Sequence, residues 1–333
     1  MTRPQPPAPA VRPAPCPGRP ATLPAFDDLP VGRSGARHAW HQFGQDDNIG
    51  LVNLLTADVV RLAAGLVRQG KVFALNAPAD LFDPAPFGTR GAPRHHTFAI
   101  RRPHSTVVDD VIDNFYPQAS SQWDSLAHAS FDTDTFYNGV SQADIQTRHR
   151  NTIEHWARRG IVGRAVVLDL TDGNPGYVPA GDTAFGVADL ERSRRRAGLE
   201  YRDGDILLLH TGFTAWYAGL DQAARQAVPR DLAVIGLEHS EAVCRYLWET
   251  HAAAVATDTL TLEVWPPDHS GRPYGFLHQT LIGGFGMAVG ELWWLADLTA
   301  DCRADGVYEG MLVSAPLNLP GGTGSPANAV VIK

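Results

Sequence analysis

Three observations predict an α/β (α+β) domain with long connecting loops. Short apolar runs bounded by charges or turns read as buried strands, stripes at helical spacing lie between them, and 32 Gly and 25 Pro leave much of the chain for connections. In chain order, Thr56 precedes Val59, Leu62, Ala63 and Leu66, an i, i+3, i+4, i+7 stripe, and the spacing predicts a capped helix that stops near Gly70. Ser141 with Asp144 three residues on resembles a capping box, and Ile145, Ile153 and Trp156 carry the predicted second helix toward Gly160. A third helix is predicted near 237–250. The apolar runs 165–170, 206–210, 252–256 and 311–315 predict strands.

The chain has 333 residues, 44% of them hydrophobic, and a net charge of −8. That is enough apolar material for a large core, and the acidic balance with no Lys/Arg block lacks the footprint that phosphate binding needs. A small-molecule substrate is expected, with no nucleic acid as partner. No apolar run approaches the ~18–20 residues that cross a bilayer, and no signal core follows the N-terminal charges, so a cytoplasmic protein with no membrane partner is expected. Cys16, Cys244 and Cys302 show no metal-ligand spacing and read as free thiols. Nine prolines fall within the first 24 residues, and 1–25 is expected to be a disordered tail ahead of one continuous domain, 26–333.

Most of the 13 histidines, including His95, His96, His149, His155, His251 and His269, read as surface or packing residues. Residues 118–128 differ, because amide, carboxylate, imidazole and a large aromatic concentrate there. If extended, this segment puts Gln118, Ser120, Gln122 and Asp124 on one face and Trp123 on the other, where a core role is expected ahead of substrate stacking. His128 lies four residues past Asp124, close enough for the carboxylate to set its tautomer and basicity as a general base requires. Farther on, His278 and Glu291 are polar residues inside an apolar, Gly-rich segment, so both should be buried and paired, with Glu291 opening a helix through Leu292 and Leu295. An Asp, two His and a Glu are the raw material of a metal or acid–base site. Phe136 and Tyr137 are candidate walls of an aromatic pocket. Gly284, Gly286 and Gly290 lack the βα units that a nucleotide-binding fold needs after them, so no nucleotide cofactor is expected.

These residues, together with the segments 43–47, 160–170, 204–212 and 315–317, resemble the cyclase family of metal-dependent hydrolases, which contains bacterial kynurenine formamidase and isatin hydrolase. The family pattern HxGTHxDxPxH aligns with 118–128, and its late His and Glu align with His278 and Glu291. The resemblance implies a swivelling β/β/α fold in a homodimer or homotetramer. It also implies arylformamidase-like hydrolysis of an amide or lactam, as in tryptophan catabolism, with Zn or Mn. Gln118 and Gln122 stand where the pattern has its first two His, and Leu126 where it has Pro, which marks a divergent subgroup. Carried over by position, the metal set is Asp124, His278, Glu291 and Gln122, and the catalytic set is His128, Asp124, Gln122 and Gln118. Trp123, Phe136 and Tyr137 are the substrate-binding candidates. With two imidazoles gone, the remaining set suits a harder ion such as Mn better than Zn. Two mechanisms follow. In one, a divalent ion polarises a carbonyl while His128 shuttles the proton. In the other, Asp124 and His128 act without metal, as a cyclase, lyase or isomerase would, and the Gln118 and Gln122 amides donate to the oxyanion. A non-catalytic ligand-binding homologue is the third expectation.

Overall fold

In the computed structural model, residues 23–83, 85–87, 89–173, 177–228, 233–268, 270 and 273–333 are described. The predicted tail up to residue 22, with Cys16, and His269 lie outside the described residues. Eleven described strands are three residues or longer: β1 (Val72–Ala74), β2 (Arg94–Arg102), β3 (Ser105–Asp113), β4 (Gln122–Asp124), β5 (Ile161–Asp169), β6 (Ile206–His210), β7 (Ala254–Thr257), β8 (Ala288–Glu291), β9 (Glu309–Ser314), β10 (Gly324–Pro326) and β11 (Ala329–Ile332). Nine of them form one mixed sheet in the order β1-β11-β9-β5-β6-β7-β8-β4-β10. Its centre, β5 to β8, is parallel, and both flanks are antiparallel. The central strands are the apolar runs of the sequence. Every residue of β6 and β7 is buried, as expected for parallel strands covered on both faces. The flanking β9 alternates buried and half-buried residues.

Helices cover the sheet. The first, α1 (Ala57–Ala64), is capped as predicted, with the Thr56 hydroxyl accepting from the Val59 N–H, but it ends at Gly65 rather than Gly70 and leaves Leu62 exposed. The single helix predicted after Ser141 is two, α2 (Gln142–Arg148) and α3 (Glu154–Arg159), because His149 and Asn151 take left-handed backbone angles (φ 50° and 65°) that no continuous helix allows. After α4 (Val187–Arg196), α5 (Phe213–Ala218) and α6 (Gln222–Ala227), the predicted third helix appears as α7 (Glu241–Glu249), capped by Ser240, and α8 is Ala296–Asp305. Glu291 ends β8 instead of opening a helix, since Leu292 turns the chain at φ 56°.

One apolar core runs from Leu23 to Val331. Leu23 is buried and the Trp248 indole N–H donates to the Pro24 carbonyl (2.9 Å), so the packed domain takes in residues that proline content assigned to the tail. No described helix is long and apolar enough to cross a membrane.

Candidate active site

The site is assembled where β8 meets β4. Their antiparallel register sets Glu291 opposite Gln122 and Val289 opposite Asp124. Alternate residues of a strand share a face, so Gln122, Asp124 and Glu291 project together. Gln122 Nε2 donates to Glu291 Oε2 (2.9 Å) and reaches Asp124 Oδ2 (3.5 Å). Trp123 points the other way, fully buried against Trp156 and Trp293, with its indole N–H donating to Ser314 Oγ at 2.9 Å. It is a core residue.

His278 enters from the start of a π-helical stretch, Gln279–Phe285. Its Nε2 lies 3.1 Å from Glu291 Oε1 and 4.0 Å from Asp124 Oδ2. Its Nδ1 faces both oxygens of Glu263, at 2.9 and 2.8 Å, and the Phe276 ring stacks on the imidazole with centroids 5.0 Å apart. Glu263 is fully buried and went unpredicted. A lone Glu closing the polar and apolar run 257–263 was the available signal. His128 Nδ1 lies 3.7 Å from Asp124 Oδ1. Its side chain is 26% exposed, while those of Asp124, His278 and Glu291 are at most 5% exposed.

These environments separate the ionisable groups. Burial raises the Asp124 carboxyl above its usual range, against the pull of His128, and the Glu291 charge adds to the rise. Burial also lowers the His128 imidazole, although Asp124 opposes it. His278 goes the other way: burial disfavours its charge, but Glu263 and Glu291 outweigh that cost and hold its pKa well above the ordinary value. Arg90, also missed from sequence, adds positive potential at Asp124 and His128, while its Nη1 donates to the Gln118 carbonyl (2.5 Å).

Asp124, His278 and Glu291 offer ligand atoms that all lie within 4.8 Å of one another. Two buried oxygens beside them, Asp124 Oδ1 and Gln122 Oε1, have no hydrogen-bond partner. The Glu263–His278 pair is the carboxylate–imidazole arrangement that orients a metal-ligating histidine. Three buried carboxylates face the single imidazole of His278, a charge excess that a divalent cation offsets. The residues present therefore fit such an ion, and their one nitrogen and carboxylate oxygens suit a hard one.

His128 also lines a cavity of about 340 Å³ with Phe136, Ile145, Gln146, His149 and Thr323. A cleft of about 530 Å³ is lined by residues 130–135, Arg33 and Gln279, without any of the site's ionisable groups, so the smaller cavity is the one joined to the chemistry. Phe136 lines that cavity, whereas Tyr137 is fully buried, with its hydroxyl donating to Asp47 Oδ2 (3.1 Å). Gln118 also departs from expectation. It sits on a 3-10 turn, Pro117–Ala119, so strand alternation does not reach it, and its Nε2 lies 3.4 Å from Thr323 Oγ1. The Gln122 amide donates to carboxylates and the Gln118 amide to a hydroxyl.

The cyclase family model matches residues 68–264, more than half of the chain, and the chain belongs to that family. A crystal structure described as that of a novel cyclase aligns with TM-score 0.80 at 30% identity, covering 93% of this chain and 100% of that one. Isatin hydrolase A from Labrenzia aggregata, bound to benzyl benzoate, aligns at TM-score 0.55 and 16% identity over 83% of this chain and 98% of its own. Isatin hydrolase A from Ralstonia solanacearum aligns at TM-score 0.51 and 17% identity over 81% and 95%. At these identities the two share the fold. No curated protein matches the chain. The fold is the cyclase-like one that the sequence predicts.

Proposed function

We propose that the chain is a hydrolase that cleaves an amide, lactam or lactone bond of a small aromatic molecule, in the manner of kynurenine formamidase. The observation that carries this reading is a buried Asp124, His278 and Glu291 cluster set beside a partly exposed His128 at a cavity wall. The names of the isatin hydrolases that share the fold support it. Within the family we place the chain in a subgroup with Gln118 and Gln122 at the first two histidine positions of the motif, where Gln122 holds Glu291 in place.

Asp124, His278 and Glu291 would hold a divalent cation, Mn in preference to Zn, which when bound supplies carbonyl polarisation and a more acidic water. His128 is neutral at pH 7 because burial lowers its pKa, so Nε2 is free to take the proton of the attacking water while Nδ1 faces Asp124. The Asp124 charge stabilises the imidazolium that forms. The C–N or C–O bond then breaks, and Nε2 returns the proton to the leaving nitrogen or oxygen. Phe136 and Ile145 favour an apolar ring, and about 340 Å³ limits the substrate to a small molecule. The buried free thiols Cys244 and Cys302 support a reducing, cytoplasmic setting.

A second reading, proton transfer by Asp124 and His128 without metal, is favoured by the 3.7 Å approach of His128 Nδ1 to Asp124 Oδ1. Elemental analysis of protein purified without chelator or a His-tag separates the two. About one Mn or Zn per chain, lost in His278→Ala together with lactam or formamide hydrolysis, is the expected result. No stoichiometric metal in a folded protein sinks the metal-assisted mechanism.

A further inference from the structure

Arg90 is half-buried, and among the described residues no carboxylate forms an ion pair with it. Arg164 and Arg194, also sheltered, are answered by acids: Arg164 pairs with Asp205 (3.1 Å) and Glu309 (2.6 Å), and Arg194 with Glu191 (2.9 Å) and Glu200 (3.0 Å). Arg225 has no such acid either, but both its terminal nitrogens donate to carbonyls, those of Leu81 and Ala218. Arg90 is spent less fully. Its Nη1 donates to the Gln118 carbonyl (2.5 Å), its Cζ lies 5.2 Å from the centroid of the Phe87 ring, and its Nε and Nη2 have no hydrogen-bond partner among the described residues. A guanidinium held on an aromatic face with most of its donors unused matches the two oxygens of a carboxylate.

Two chains of contact tie this guanidinium to the chemistry. Gln118, whose carbonyl it holds, has Nε2 3.4 Å from Thr323 Oγ1, and Thr323 lines the cavity that His128 shares. On the other side, Phe87 meets the Trp265 ring edge-on with centroids 4.9 Å apart, and Trp265 lies two residues past Glu263, the carboxylate that orients His278. The charge is felt at the site, since Arg90 adds positive potential at both Asp124 and His128. The cavity lining itself includes no acidic side chain. Beside Phe136 and Ile145 its side chains offer imidazoles, carboxamides and a hydroxyl, a lining compatible with an anion.

We propose that Arg90 is a specificity residue that pairs with a carboxylate carried on the same small aromatic molecule as the bond to be cleaved. The assignment rests on the hydrolase reading for that bond, but the ion pair forms with or without turnover. Pairing at Arg90 fixes the molecule at a second point besides the Asp124, His278 and Glu291 cluster, which orients the scissile carbonyl.

Calorimetric titration of the full chain with benzoate, and with benzamide as its neutral analogue of the same shape, tests the pairing without turnover. The wild type should bind benzoate about 10–100-fold tighter than benzamide, and Arg90→Gln should bring the two affinities level. Arg90→Lys, which keeps the cation and loses the fork, should fall between them, and it supplies the reading if the glutamine variant does not fold. In kinetics with formanilide and its ring carboxylates, the best carboxylate should lead formanilide in kcat/KM through a lower KM, and Arg90→Gln should erase that lead. Equal binding of benzoate and benzamide by the wild type overturns the proposal. So does a benzoate preference that survives in Arg90→Gln, because it then belongs to a metal in the cluster. Benzoate selection that depends on Arg90, with no anilide hydrolysed, supports the pairing and counts against the hydrolase reading alone.

Discussion

Two buried histidines sit among carboxylates near the carboxyl ends of the parallel strands, and they differ in what else surrounds them. His210, ending β6, has Nδ1 3.2 Å from Asp169 Oδ1 and Nε2 3.7 Å from Asp258 Oδ2. There every acid is answered. Arg303 Nε donates to Asp169 (2.7 Å), the Thr171 hydroxyl donates to it as well, and Asp258 accepts from the Thr211 and Gly212 N–H groups. The His278 cluster has no arginine or lysine bonded to its acids among the described residues, and it keeps Asp124 Oδ1 and Gln122 Oε1 without partners. Similar residues thus make a closed network in one place and, in the other, one that keeps two buried oxygens without partners. Unmet hydrogen-bonding capacity beside a cavity, rather than burial of charge, is what singles out the candidate cluster.

The largest effect that separates them should come from His128→Ala. It removes the proton carrier and should cut kcat/KM by about 10²–10⁴-fold while leaving the urea midpoint in place, because His128 is not part of the packed core. Asp169→Ala should do the opposite. Breaking a buried ion pair costs about 3–5 kcal/mol of stability, read by urea unfolding, with kcat unchanged for the molecules that remain folded.

The pH dependence sharpens the contrast. Burial would raise the Asp169 carboxyl, but the bonds from His210 and Arg303 outweigh it and hold the pKa far below the usual range. Its stabilisation is therefore present above about pH 4 and fades as pH falls toward the folded-state value, so Asp169→Asn should flatten the acid limb of stability against pH. The activity limb should respond to His128 instead. Because the imidazole pKa is lowered, kcat/KM should persist below pH 6.5 before falling. Retention of an activity limb at or above 6.5 breaks the assignment of His128 as base.

Glu263→Gln should lower metal affinity or activity by about 10–100-fold, measured by metal titration, because the imidazole loses the carboxylate that orients it. The smallest expected change is Thr171→Val, about 1 kcal/mol, from the loss of one hydroxyl that joins Asp169 to Arg303.

Much of the fold was legible. The runs 165–170 and 206–210 are strands because both faces of a parallel strand must be apolar, which composition alone records. The same logic placed His278 and Glu291 in the interior. The segment 118–128 was half legible: alternation correctly sets Gln122 and Asp124 on one face and Trp123 on the other, but it fails at Gln118, where Pro117 opens a 3-10 turn. The helix end at 148 was missed because His149 stops α2 through a left-handed backbone conformation, which hydrophobic period does not record; α1 ends at 64 although Gly65 keeps right-handed angles.

The sequence by itself determined which ionisable residues must be buried and satisfied, since an isolated charge in an apolar segment is too costly to leave alone. Tertiary structure alone decided their partners. Gln122 meets Glu291 across 169 residues, and His278 meets Glu263, which no local pattern singles out. It also sent Trp123 and Tyr137 into the core and left Phe136 at the cavity. The physical reason is that side-chain alternation is a property of one strand, whereas register and the packing of helices on the sheet depend on contacts between segments far apart in the chain.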